Sequence, residues 1–166
     1  MAAKLDTLQD LFESELKDIY GAEQQIMEAM PEMIEAASSV ELKEKLEHHS
    51  KQTEQQIVRL EEVFEMLDME PEAEKCDGMA GILEDGEKML KAEGEPHVKD
   101  AALVAAAQKV EHYEISTYGT LRTFAHTLGH EKVAEKLQQT LREESETDKL
   151  LTKLAEASIN REAPGI

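Results

Sequence analysis

The 166-residue chain has no tryptophan, one cysteine and four prolines, and only 4% of its residues are aromatic. The lone Cys76 cannot close an internal disulfide, so the fold does not rest on oxidation and suits a reducing compartment. No run approaches the roughly 18 uninterrupted apolar residues that a membrane-spanning helix needs. Residues 1–6 lead straight into an acidic amphipathic pattern, with no apolar signal-peptide core. A soluble, cytoplasmic chain is therefore expected. Basic residues are also scarce, 18 against 37 acidic ones, for a formal net charge of −19. Phosphate backbones and anionic lipid surfaces would be repelled unless a basic patch existed, and Arg59, Arg122, Arg142 and Arg161 are scattered. Nucleic-acid and membrane partners are thus disfavoured; an acidic surface attracts cations, divalent metal ions and basic protein patches among them, but its ordinary meaning is solubility.

Strand signals are missing too, because no segment alternates apolar and polar residues for long. What is present is a surplus of Glu, Lys, Leu, Ala, Gln and Met, all good helix formers, so the chain reads as all-α and as one domain over 1–166. Apolar residues at three- and four-residue spacing predict helices over about 7–37, 40–68, 97–127 and 131–159. Asp6 or Thr7 is the expected first N-cap, and Ser38 with Glu41 has the spacing of a capping box. Pro31 should kink the end of the first helix, and Gly129 should cap the third. Between 69 and 96, Pro71, Gly78, Gly81, Gly86, Gly94 and Pro96 break the pattern into a long crossover holding one short helix near 81–92. Residues 160–166 are expected to form a flexible tail. Four long helices with one long crossover make a four-helix bundle of the ferritin-like kind, since a simple up-down bundle uses short loops throughout. Gly21 and Gly119, inside helices, suggest close helix approach.

Each apolar stripe turns polar near the middle of its helix. The first passes through Glu15 and Glu23, the second through His49, Thr53 and Gln56 or Ile57, the third through Gln108 and Glu111 with Glu114 at its edge, and the fourth through Glu144 and Asp148. Folding the helices about their turns sets Glu23 level with Glu54, and Glu114 level with Glu144; Glu111 joins that layer if the third helix runs parallel to the second. Glu15 lies two turns from Glu23, about 12 Å along the axis, and is the weakest candidate. For a single acid on such a stripe, solvent exposure or a hydrogen bond is the ordinary outcome. Several carboxylates in one interior layer must be protonated, paired with cations or bound to metal, and the inner stripes offer almost no Lys or Arg. Glu23, His49, Glu54, Glu111, Glu114, Glu144 and Asp148 are the candidate metal ligands. Oxygen-rich ligands with an imidazole suit iron or manganese, and a pair of divalent ions bridged by glutamates would neutralise the cluster. If such a site is redox-active, it would oxidise ferrous iron with oxygen or peroxide, with Tyr20 or Tyr113 nearby as hydrogen-bond or electron partners. The alternative is a metal-free layer in which carboxyls share protons with Gln56, Gln108 and tyrosines and fix the register of a non-enzymatic structural or interaction protein.

The block 8–24 (LQDLFESELKDIYGAEQ), His49 followed by 53–61 (TEQQIVRLE), and 110–119 (VEHYEISTYG) resemble, in this order, the YciE/YciF family of ferritin-like bacterial proteins, over nearly the whole chain from Leu5 to about Ala157. The resemblance implies a ferritin-like bundle, a homodimer, a role in the stress response and a central site similar to the di-iron carboxylate centres of rubrerythrins and bacterioferritins. Glu111 and Glu114 look like the paired glutamates on one rubrerythrin helix. Neither the second nor the fourth helix carries the Glu-x-x-His motif of those centres; His49 with Gln52 and Thr53, and Glu144 with Asp148, stand in its place.

Overall fold

The computed structural model describes residues 5–165. Among them all regular structure is helical: α1 (Leu8–Ala36), α2 (Val40–Met66), α3 (Asp77–Lys91), α4 (Pro96–Thr127), α5 (Glu131–Leu154) and the single turn α6 (Asn160–Glu162), joined to α5 by a π-helical turn over Ala155–Ile159. No described helix is long and apolar enough to cross a membrane.

Local chemistry sets the helix ends. The Thr7 hydroxyl accepts from the Asp10 N–H and the Asp10 carboxylate accepts from the Thr7 N–H, a reciprocal cap that fixes the start of α1. The helix continues through Pro31 to Ala36. At the start of α2, Ser39 rather than Ser38 supplies the cap, accepting from the Leu42 N–H. The expected Ser38–Glu41 box gives way to a long-range contact. Asp100 of α4, 1% exposed, accepts from the Ser38 and Ser39 N–H groups at 2.7 and 2.9 Å, placing a carboxylate at the positive end of α2. Gly129 takes the left-handed conformation (φ 83°) after α4, while the His130 N–H donates to the Ala125 carbonyl and the Gly129 N–H to that of His126.

α1 and α2 form one antiparallel hairpin, and α4 and α5 a second. The hairpins pack with α1 against α4 and α2 against α5. Asp100 joins the start of α4 to the α1–α2 turn, and His130, beyond the end of α4, stacks on Phe12 near the start of α1. α4 therefore runs antiparallel to α1 and parallel to α2, and the segment between α2 and α4 must return along the whole length of the molecule. It does so along α1: the Glu74 N–H donates to the Lys17 carbonyl, and the Gln25 side-chain amide pairs with both the N–H and the carbonyl of Cys76.

The crossover helix begins earlier than its glycines suggested. The Cys76 thiol accepts from the Met79 N–H and caps α3 at Asp77, so Gly78, Gly81 and Gly86 all lie inside the helix. α3 packs against α1 and α4, and Met79 is its one fully buried residue. The tail expected at 160–166 starts as a helical turn, and the buried Ile159 before it belongs to the core; residue 166 lies outside the described residues.

Gly21 permits a close approach, although the partner is the crossover backbone and not a helix. A Cβ there would stand 1.7 Å from the Glu74 carbonyl oxygen. Around Gly119 there is open space, so the close approach expected there does not occur. Gly21→Ala is expected to lower stability by about 1–3 kcal/mol through overpacking, whereas Gly119→Ala should raise it by about 0.5–1 kcal/mol through helix propensity. Urea denaturation of the two variants measures both effects.

Candidate metal centre

The interior stripes carry their polar residues to one level. On α1 the buried series is Phe12, Leu16, Ile19, Glu23, Ile26, Met30. On α2 it is Leu42, Leu46, His49, Thr53, Gln56, Leu60. α4 contributes Val110, Glu111, Glu114, Tyr118 and Leu121, and α5 contributes Leu137, Thr140, Glu144 and Leu151. Three- and four-residue steps keep each series on one face, so the acids in the middle of a series are carried inward with their apolar neighbours.

His49, Glu111, Glu114 and Glu144 are all buried, and one potential ligand atom from each lies within 4.8 Å of the others. Glu23, fully buried, adjoins this group and accepts a hydrogen bond from the Tyr118 hydroxyl. The Gln56 amide donates to Glu144 and, at 3.1 Å, to Glu143. His49 Nδ1 stands 3.2 Å from a Glu111 oxygen, without the alignment of a hydrogen bond. Eight buried side-chain atoms in this layer, on Glu23, His49, Gln56, Glu111, Glu114 and Glu144, have no hydrogen-bond partner among the described residues.

Burial dominates the electrostatics. It pushes the Glu23 carboxyl up to about 8, with repulsion from Glu144 adding to the shift and the Tyr118 hydrogen bond opposing it. Glu111 and Glu114 are raised well above the carboxylate range, first by burial and then by neighbouring carboxyls, Glu144 foremost. Burial lowers His49, favouring the neutral imidazole whose free nitrogen can bind a cation. The Tyr118 hydroxyl is held well above its usual range by burial and by Glu23.

A buried cation does lie close by, contrary to the expectation from the stripes. Arg59 is 9% exposed, but its guanidinium forks onto Glu143 at 2.8 and 2.9 Å and donates to the Thr140 hydroxyl at 2.6 Å. Burial raises the Glu143 carboxyl, and the bonds from Arg59 and Gln56 outweigh this and hold it below its ordinary value. Arg59 is therefore committed to Glu143 and leaves the central carboxyls without a dedicated counter-ion.

Of the seven candidate ligands, the structure brings Glu23, His49, Glu111, Glu114 and Glu144 together. Glu54 is exposed, because α2 turns Thr53 and Gln56 inward and a residue one step from Thr53 is rotated about 100° away. Asp148 is partly buried at the α4–α5 seam, where it accepts from the Gln108 amide at 3.0 Å and faces His112 Nε2 at 3.2 Å. The inward series on α5 passes from Glu144 to Leu151 and leaves Asp148 on the flank. Glu15 is partly buried and outside the cluster. The tyrosine at the centre is Tyr118; Tyr20 donates to Glu61, and Tyr113 contacts Asp18 and Cys76. Tyr118 falls one turn after Glu114 on the same stripe, the spacing that identifies it.

In the metal-free chain, the raised carboxyls retain protons that the unfolded chain has lost above its ordinary carboxyl value of 4.5, so stability falls as pH rises from there to about 8 for Glu23. His49 acts in the opposite sense, and its contribution is complete above its ordinary value of 6.5. Urea unfolding of metal-free protein should show stability declining between pH 6.5 and 8, by up to about 1.4 kcal/mol per pH unit per carboxyl, and less steeply in Glu23→Gln.

The family model described as "Domain of unknown function (DUF892)" matches residues 7–164. Protein YciF of Escherichia coli (strain K12) is 40% identical over 160 residues, 96% of each chain. The crystal structure of the E. coli stress protein YciF superposes with a TM-score of 0.90 at 40% identity, covering 94% of this chain and 99% of that one. YcfI from Rhodopseudomonas palustris, whose description proposes a structural role, gives 0.89 at 39% identity, covering 92% and 97%. A Xanthomonas campestris protein shares the fold at 23% identity, with a TM-score of 0.75 over 93% and 95%.

Proposed function

The chain belongs to the DUF892 family, and from that premise we propose that it is a ferritin-like four-helix bundle whose central layer holds divalent iron or manganese in a stress-related role. One observation carries this reading: the eight unpartnered buried donor and acceptor atoms fall on the glutamates, histidine and glutamine of a single layer. Three glutamate carboxylates and a neutral imidazole converging from α2, α4 and α5 suit iron or manganese, with Glu23 supplying a carboxylate from α1. Four buried carboxylates against two divalent cations are charge-neutral, which favours a pair of ions over one.

Within such a centre Glu111, Glu114, Glu144 and His49 are the ligands. Glu23, held by the Tyr118 hydroxyl, would add a fourth carboxylate to the set that holds the metal, while Gln56 orients Glu144. Bound iron or manganese would supply one-electron chemistry toward oxygen or peroxide. Glu54 and Asp148, expected from sequence to be ligands, fit a centre of this position less well: Glu54 is exposed and Asp148 is engaged by Gln108 and His112. The homodimeric state and a cytoplasmic location rest on the family resemblance and on the sequence alone. The metal-free reading, a layer that fixes helix register, draws support from the Tyr118–Glu23 and Gln56–Glu144 hydrogen bonds and from protons shared between Glu23 and Glu114 and between Glu111 and Glu144, but these leave both His49 nitrogens and the Gln56 oxygen without partners.

Elemental analysis after loading with Fe(II) without oxygen, or with Mn(II), followed by desalting, should find about two ions per chain, as expected of a ferritin-like carboxylate pair. Glu111→Ala and Glu144→Ala should each remove at least half of this metal, and Glu54→Ala none. Metal retention equal in all three variants would contradict the proposal.

A further inference from the structure

A narrow cavity of about 20 Å³ lies directly beside the candidate centre, with His49 and Glu111 in its wall. The rest of that wall is mostly apolar, including Ile26, Met30, Ala107 and Leu151, and reaches Lys45 and Thr147 at the α2–α5 seam. Its volume accommodates one small molecule, and the apolar majority of its wall disfavours a charged guest. At its other end Met33, Leu83 and Val110 form a wall shared with a groove of about 370 Å³ between α1, α3 and α4, open to the surface.

The two ends are closed differently. At the α2–α5 seam the cavity wall is polar, with Lys45 and Thr147 lining it and the Thr147 hydroxyl donating to the Gln52 side-chain oxygen at 3.4 Å. Toward the groove, the contribution of α3 is the partly buried Leu83, on a 15-residue helix whose one fully buried residue is Met79. Rotating one partly buried leucine is a smaller rearrangement than parting two helices. A hydrated cation passing Leu83 would have to shed water against apolar walls, whereas an uncharged molecule would not.

We propose that this cavity is a binding site for one small uncharged molecule of diatomic size, reached from the α1–α3–α4 groove past Leu83, which acts as its gate. As part of the metal centre it deepens the reading above, but its walls exist without the metal and can be tested separately.

The test has two arms. In metal-free protein under several atmospheres of dissolved oxygen, paramagnetic relaxation of methyl protons should be strongest at Met30 and Leu151, exceeding that at Leu16 and Leu137, and should increase in Leu83→Ala. In Fe(II)-loaded protein, stopped-flow association of nitric oxide should slow about tenfold in Leu83→Trp and quicken in Leu83→Ala, as expected where binding waits on opening, with Thr147→Val unchanged. Absence of the oxygen effect at Met30 and Leu151 overturns the cavity. Nitric oxide rates that ignore both Leu83 variants, or that respond to Thr147→Val, overturn the route. A chain that takes up no Fe(II) refutes the metal reading alone, and the comparison of wild type with Leu83→Ala under oxygen then decides the cavity and its gate.

Discussion

Glu23, Glu111, Glu114 and Glu144 place four carboxyl groups in one buried layer, and their mutual repulsion is the constraint on which the surrounding structure depends. Ionised and unpaired, each would cost several kcal/mol to bury, against a typical net stability of about 5–15 kcal/mol. Three responses are open to the chain: protonation, direct hydrogen bonding and cation binding. The raised titration of Glu23, Glu111 and Glu114 is the first response, and the hydrogen bonds from Tyr118 and Gln56 are the second. Protons shared between Glu23 and Glu114 and between Glu111 and Glu144 pair some of the remaining atoms and leave both His49 nitrogens and the Gln56 oxygen without partners. Arg59, the nearby buried cation, is directed to Glu143 and Thr140, so it fixes α2 against α5 at the edge of the layer without neutralising its centre.

The long crossover follows from the direction of α4. It runs parallel to α2, so the chain must travel the length of the molecule between them. The cost of ordering that segment is offset by specific ties: Gly21 against the Glu74 backbone, Gln25 against Cys76, and the Cys76 thiol at the start of α3. Asp100 performs the matching task at the other end by capping α2 from α4. The crossover thereby covers the interior beside the layer with α3, which places Leu83 in the cavity wall.

The all-helical class and the inward position of five of the acids and imidazoles were legible from periodicity, since an apolar stripe carries any polar residue in its path to the core. Glu54 escaped that logic because one residue step from Thr53 rotates a side chain by about 100°, and Asp148 because its four-residue step from Glu144 drifts about 40° toward the α4 flank, where Gln108 engages it. Asp100 lay outside every stripe-based argument, because its role is to satisfy backbone N–H groups more than sixty residues away. The start of α3 was hidden by glycines that weaken helix propensity and by a thiol cap, a weak acceptor that sequence rules do not weigh. Arg59 could be located on α2, but its commitment to Glu143 depends on how α2 meets α5.

The central claim is that the carboxylate layer is completed by divalent cations. Anomalous diffraction from crystals grown with Fe(II) or Mn(II), recorded on both sides of the metal's absorption edge, tests this most directly. The account predicts edge-specific peaks enclosed by Glu23, Glu111, Glu114, Glu144 and His49. A well-ordered layer without an edge-specific peak, in crystals whose surface carboxylates do show bound metal, would contradict it.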